Sequence, residues 1–141
     1  MQIRKATMKD AEALLSLYED LGYPTTASKL ARRLKMILSQ PHYGCLLSER
    51  NGEILGFLGY AKFFFFEADG SYYRILALSV AKEARRQGIA TALMDKVKKI
   101  ASQDGANDER LAAHAQNYVF RQTSLAFARN VEEDEHGKEK S

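Results

Sequence analysis

The stretch Leu78-Ser79-Val80-Ala81-Lys82-Glu83-Ala84-Arg85-Arg86-Gln87-Gly88-Ile89-Ala90-Thr91 decides how this chain folds. It begins at the end of an apolar run, Ile75-Leu76-Ala77-Leu78, crosses a short polar turn, and enters a segment of helical periodicity. The run predicts a buried strand over Tyr72 to Val80, apolar enough for a central strand covered on both sides. From Ala90 onward, Leu93, Met94, Val97, Ile100 and Ala101 share one helix face, opposite Asp95, Lys96, Lys98 and Lys99. The first N–H groups of a helix point at whatever precedes it and are natural anion donors. Gly88 lets the backbone approach an anion closely, Ala90 avoids a clash at the same spot, and Arg85 and Arg86 add charge. The turn is therefore an expected anion site, set against the plainer alternative of an ordinary polar strand-to-helix connection.

Upstream, two antiparallel strands, Gly44 to Glu49 and Glu53 to Phe66, are expected around Arg50-Asn51-Gly52, because Asn-Gly suits the left-handed dihedrals of a tight hairpin. Phe63 to Phe66 is too aromatic for a loop and, as a strand, puts rings on both faces, between layers. Glu67-Ala68-Asp69-Gly70 forms a second turn. Before the hairpin lie a short strand, Ile3 to Ala6, and two helices. Thr7 followed by Asp10 makes a capping box with an acid in place of the usual Glu or Gln, ahead of Ala11, Leu14, Leu15, Tyr18 and Leu21 at helical spacing. Gly22-Tyr23-Pro24 ends that helix. The next begins near Thr26 or Ser28, turns Leu30, Leu34, Ile37 and Leu38 inward, leaves Arg32, Arg33 and Lys35 solvated, and closes at Pro41.

Downstream, Ser102-Gln103-Asp104-Gly105 ends the helix, another starts near Asp108, and a strand-like stretch runs from Thr123 to Ala128. One domain over 1–131 is expected, followed by a charged, disordered tail over 132–141. The single cysteine, Cys45, forms no disulfide within the chain and reads as buried filler. His42, His114 and His136 have no ligand spacing, so no metal site is expected. The formal net charge of +3 suits a phosphorylated ligand but is too dispersed for a nucleic-acid surface. No stretch reaches the length of a membrane span and the N-terminus lacks a leader's apolar core, so a cytoplasmic location is expected.

Two phosphate loops can be set aside. The turn lacks the Gly-Lys-Ser/Thr of a P-loop and the third glycine of the dinucleotide fingerprint. What remains resembles the signature of the GNAT superfamily of acetyl-CoA-dependent acyltransferases: Arg or Gln, two variable residues, Gly, one variable residue, then Gly or Ala. Arg85, Gly88 and Ala90 fill its defined positions. The order strand, two helices, hairpin, strand, signature, helix is also that family's. Asn107-Asp108-Glu109-Arg110-Leu111-Ala112-Ala113-His114-Ala115 resembles a segment of many small bacterial members, and Thr123 to Phe127 resembles their closing strand.

The resemblance implies an α/β fold, a GNAT-like mixed, twisted sheet flanked by helices on both faces. It implies that Leu78, Ser79 and Val80 hold the pantetheine arm of acetyl-CoA through their backbone. Arg85, Arg86, Gln87, Gly88, Ile89 and Ala90 would hold the pyrophosphate, with Thr91 and Asn107 as further cofactor contacts. The acetyl group would pass by direct attack to a primary amine of a small molecule or peptide, without metal, nucleic acid or membrane as partners. Tyr118 is the nearest candidate for the acid that protonates the leaving thiolate; a packing tyrosine is its equal alternative. No base stands out, which leaves an acid near Glu67 or Asp69, or an ordered water. Tyr23 lies where members shape the acceptor site, and the aromatic strand suits an acceptor pocket or a homodimer interface.

The sequence departs from the family in two places. Only Ser102 to Asn107 separates the helix after the signature from the next one, too little for the parallel strand usual there. Gln116-Asn117-Tyr118-Val119-Phe120 stands where members have Phe-Tyr and a later Gly-Phe. Either the natural protein has residues outside these, which is favoured because losing a central strand would expose edges, or it is a shortened, catalytically impaired CoA-binding module.

Overall fold

Asn51 and Gly52 adopt left-handed dihedrals, with φ of 53° and 80°, and turn the chain back so that Arg50 pairs with Glu53. This is the two-residue turn whose twist matches the strands it joins. The computed structural model describes residues 1–104. Within them the turn joins the two inner strands of a four-stranded sheet, in the order β1-β2-β3-β4. These are β1 Gln2–Lys5, β2 Tyr43–Arg50, β3 Glu53–Phe64 and β4 Ser71–Val80. Every pairing is antiparallel. The expected mixed character would need a parallel strand after the last helix, outside the described residues.

Three helices accompany the sheet: α1 Ala11–Asp20, α2 Ala27–Leu38 and α3 Ile89–Gln103. The capping box ahead of α1 forms as expected. The backbone N–H of Lys9 donates to Thr7 Oγ1, and that of Thr7 donates to Asp10 Oδ2 at 2.8 Å. It caps a single 3-10 turn, Met8–Asp10, that leads into α1. Asp10 also receives Arg4, which bridges to Glu49 on β2. The guanidinium beside it holds the Asp10 carboxyl below its usual range. Gly22, at φ 90°, ends α1, and the Tyr23 N–H closes back on the Tyr18 carbonyl.

Strand alternation assigns the helices to opposite faces. Phe57 on β3 stacks on Tyr18 of α1, with centroids 5.1 Å apart. Its cross-strand partner Ser79 donates its hydroxyl to the Leu17 carbonyl of α1. One residue earlier, Gly56 faces α3, and a Cβ there would lie 3.2 Å from Ile89 and 3.4 Å from Leu93. The missing side chain lets α3 settle against the sheet. Leu14, Leu17 and Leu30 fill one layer, and Ile89, Leu93 and Val97 the other. Burying each such side chain contributes about 1.5–3 kcal/mol.

Two expectations are corrected. Phe63 to Phe66 is not held between layers. β3 stops at Phe64, and Phe64 and Phe66, at the tip of the hairpin, are exposed. Phe63 and Phe65 instead flank Tyr72, with centroids 5.7 and 4.9 Å from its ring. β4 is likewise not covered along its whole length. It is the last strand of the sheet among the described residues, and it is fully buried on both faces only over Leu78, Ser79 and Val80 near the signature.

At its far end α3 is clasped. Asp104, its C-cap, receives Lys62 Nζ of β3 and the Tyr73 hydroxyl of β4, both at 2.7 Å on one carboxylate oxygen. These two partners hold the carboxyl below its usual range.

Candidate functional site

The edge of β4 that faces away from β3 ends in the turn singled out by sequence. Ala81 N–H donates to the Leu55 carbonyl at 2.8 Å, so it points toward β3. Backbone groups alternate sides along a strand. Those of Ser79 therefore also face β3, while those of Leu78 and Val80 face outward. The side chain of Arg85 marks this edge, since its Nε donates to the Val80 carbonyl at 3.1 Å. Ser79, whose hydroxyl is committed to α1, and Leu78 are fully buried, so only the backbone of this segment is offered outward.

A bulge lies just upstream. The pairing steps from Gly59 with Ala77 to Tyr60 with Ile75, so that Leu76 has no opposite residue on β3 and is 46% exposed. An unmatched residue bends its strand and re-aims the backbone around it. Sequence reasoning missed this bulge: the run Ile75 to Leu78 looks uniform, and the extra residue shows only in the register between β3 and β4.

After Val80 a 3-10 turn, Lys82–Ala84, leads to Arg85. Arg86 then takes a left-handed conformation at φ 69° and Gly88 another at φ 79°. For glycine this is costless, but for arginine it stores about 1–2 kcal/mol of backbone strain. Left-handed residues in such a turn curl successive N–H groups into a concave donor set. α3 starts directly behind it with Gly88 as N-cap, no side-chain cap and no acid in its first turn. Ala84, Gly88, Ile89 and Ala90 are buried, Arg85 and Thr91 are half-buried, and Arg86 and Gln87 are exposed. Buried Ala84, Gly88 and Ala90 thus lie beside two arginines, one half-buried and one exposed.

Two contacts from distant sequence reach this turn. Arg50, where β2 meets its hairpin turn, donates from Nη2 to Gln87 Oε1 at 2.9 Å. Lys82 lies 3.7 Å from Asp20 at the end of α1. That ion pair brings the loop carrying exposed Tyr23 to the same end of the sheet as the turn. Neither contact is signalled in the local sequence.

The other candidates do not converge here. Glu67 and Asp69 sit on the exposed turn before Ser71, at the opposite end of the ten-residue β4 from Val80. That is about 30 Å at strand rise, and it leaves neither acid near the turn. Asn107, His114 and Tyr118 lie outside the described residues, as does the tail over 132–141. Cys45 is buried and apolar burial pushes its thiol up to about 12, which fits a filler and not a nucleophile. Among the described residues no group of His, Cys, Asp and Glu could hold a metal ion, and no helix is long and apolar enough to cross a membrane.

A profile described as "Acetyltransferase (GNAT) family" matches residues 6–128. Among solved structures, a GNAT family acetyltransferase from Staphylococcus aureus is 33% identical, with a TM-score of 0.68 over 72% of this chain and 78% of that one. An aminoglycoside antibiotic 6'-N-acetyltransferase from Acinetobacter haemolyticus is 18% identical, with a TM-score of 0.64 over 74% of each chain. A ribosomal-protein-alanine N-acetyltransferase from Brucella melitensis is 19% identical, with a TM-score of 0.60 over 72% of this chain and 71% of that one. The last two share the fold, and their acceptors differ widely. A search of curated protein sequences gave no match.

Proposed function

Because this chain belongs to the acetyltransferase (GNAT) family, we propose that it moves an acetyl group from acetyl-CoA to a primary amine of a small molecule, or of a peptide. The observation that supports the reading is the turn Arg85–Ala90, where Arg85 bonds the outward Val80 carbonyl of β4 and α3 begins directly behind Gly88. A pyrophosphate fits that chemistry. Its charge is matched by backbone donors, by the positive end of the α3 dipole, and by Arg86.

When bound, acetyl-CoA supplies the thioester. The outward backbone groups of Leu78 and Val80 would run along the pantetheine arm, which carries amides that pair with them as a strand would. The bulge at Leu76 re-aims the neighbouring backbone, whose donors would then face the thioester carbonyl. Holding that carbonyl polarised while an amine is positioned beside it is the main task of such a site. Tyr118 would protonate the departing sulfur. An acid near Glu67 or Asp69, or an ordered water, would take the amine proton. The loop carrying Tyr23 would border the acceptor. The active domain would extend over 1–131, in the cytoplasm.

Calorimetric titration with acetyl-CoA, on the parent and on Arg85→Ala/Gly88→Asp, tests this reading. Binding by the parent and none by the double variant is the expected result. A parent that fails to bind acetyl-CoA would sink it. Saturable binding without release of free thiol over a broad amine panel would favour the impaired binding module instead.

A further inference from the structure

We infer that Arg50 is a positioning residue for the cofactor's phosphates, acting through Gln87. Arg50 leaves β2 at the hairpin turn, 37 residues before Gln87 in sequence, and its guanidinium Nη2 lies 2.9 Å from Gln87 Oε1. A guanidinium can only donate hydrogen bonds. It therefore selects the oxygen of the Gln87 amide and turns the amide nitrogen, with its two donors, the other way. Gln87 stands between left-handed Arg86 and left-handed Gly88, in the turn that precedes the first amides of α3. An untethered glutamine there could offer an anion either end of its amide. Arg50 commits it to donate.

The same contact adds a third guanidinium to a turn that already carries Arg85 and Arg86. Like charges gathered at the positive end of a helix are unfavourable without an anion. Arg50 sits in register because β2 is locked to β3 by the two-residue turn that follows it. The inference rests on the cofactor reading above and adds to it a residue from outside the signature.

The test is calorimetry with CoA on the full chain, beside thermal midpoints, for Arg50→Ala, Arg50→Lys, Gln87→Ala, Gln87→Glu and the Arg50→Ala/Gln87→Ala pair. Gln87→Glu gives Arg50 a better partner but removes both amide donors. It should keep or raise the thermal midpoint while weakening CoA binding roughly tenfold or more, which a merely structural contact would not do. Arg50→Ala should weaken binding about fivefold, Arg50→Lys should recover most of that, and Arg50→Ala should cost little further once Gln87 is already alanine. If the parent binds CoA and both Arg50→Ala and Gln87→Glu bind it equally well, the inference is wrong while the cofactor reading stands. Fully additive losses in the paired variant would also overturn it, because Arg50 would then act without Gln87. A parent that binds no CoA would remove the cofactor reading and this inference with it.

Discussion

The two ends of α3 are built on opposite electrostatic principles. At its C-terminus the helix places an acid, Asp104, where the dipole is already negative, and the sheet answers with Lys62 and the Tyr73 hydroxyl. Charge there is balanced inside the chain. At its N-terminus the dipole is positive, the first turn has no acid, and the chain adds Arg85 and Arg86. The backbone is relaxed around Asp104, but at the other end Arg86 is held in a left-handed conformation at φ 69°. One end is finished as structure. The other gathers positive charge and local strain, the arrangement that the proposed function reads as an anion site.

That contrast can be broken most sharply by Gly88→Asp. It puts a negative side chain, and a Cβ at φ 79°, where the anion is expected. CoA binding should fall on the order of a hundredfold or more, as read by calorimetry. Asp104→Ala should lower the thermal midpoint yet leave binding within about twofold. Equal losses of binding from both would erase the distinction between the ends. Gly56→Val probes what the two ends share. The added branches would press on Ser79, Ile89 and Leu93, lifting α3 and costing about 2 kcal/mol in a denaturant melt. Binding should fall in that variant only as far as the helix is displaced.

Smaller effects separate strain from charge. Arg86→Gly should leave stability unchanged or raise it by up to about 1 kcal/mol, because glycine adopts the left-handed region freely. CoA affinity should drop severalfold in the same variant. A gain in both would mean that the side chain's charge has no part in binding. The smallest effect is a pH response at the other end. Lys62 and then Tyr73 lower the Asp104 carboxyl, so its contribution to stability is complete above the ordinary aspartate range. It is lost as pH falls through the lower folded value. Thermal midpoints of the parent and Asp104→Asn should therefore converge on acidification from about pH 5 to pH 3. A gap that stayed constant across this window would rule the clasp out.

How much of this was legible in the sequence follows from the range of the forces involved. Asn51-Gly52, Thr7 with Asp10, and Gly22 act within three or four residues, and the structure places each as its local chemistry predicts. The strand-to-helix passage at Val80 to Ile89 was equally plain, because periodicity changes there and a glycine marks the cap. The left-handed state of Arg86 was not legible, since arginine rarely adopts it and only the surrounding packing imposes it. The bulge at Leu76 and the Arg50 to Gln87 contact were hidden for another reason: each depends on the register between strands. The exposed Phe64 and Phe66 misled because their chemistry announces burial, whereas tertiary packing decides it.

The hairpin turn at Asn51-Gly52 has a consequence for how this sequence can change length. The turn has only two residues, both left-handed, and Arg50 and Glu53 pair directly across it. One inserted residue in β2 would slip the ladder and reverse which face each later side chain occupies. Arg50 would then swing away from Gln87. The turn after Phe64 is longer and remote from the signature, and past Phe65, which packs on Tyr72, its residues are exposed. Insertions and deletions among variants of this chain should accumulate at 65–70 and stay absent at 51–52.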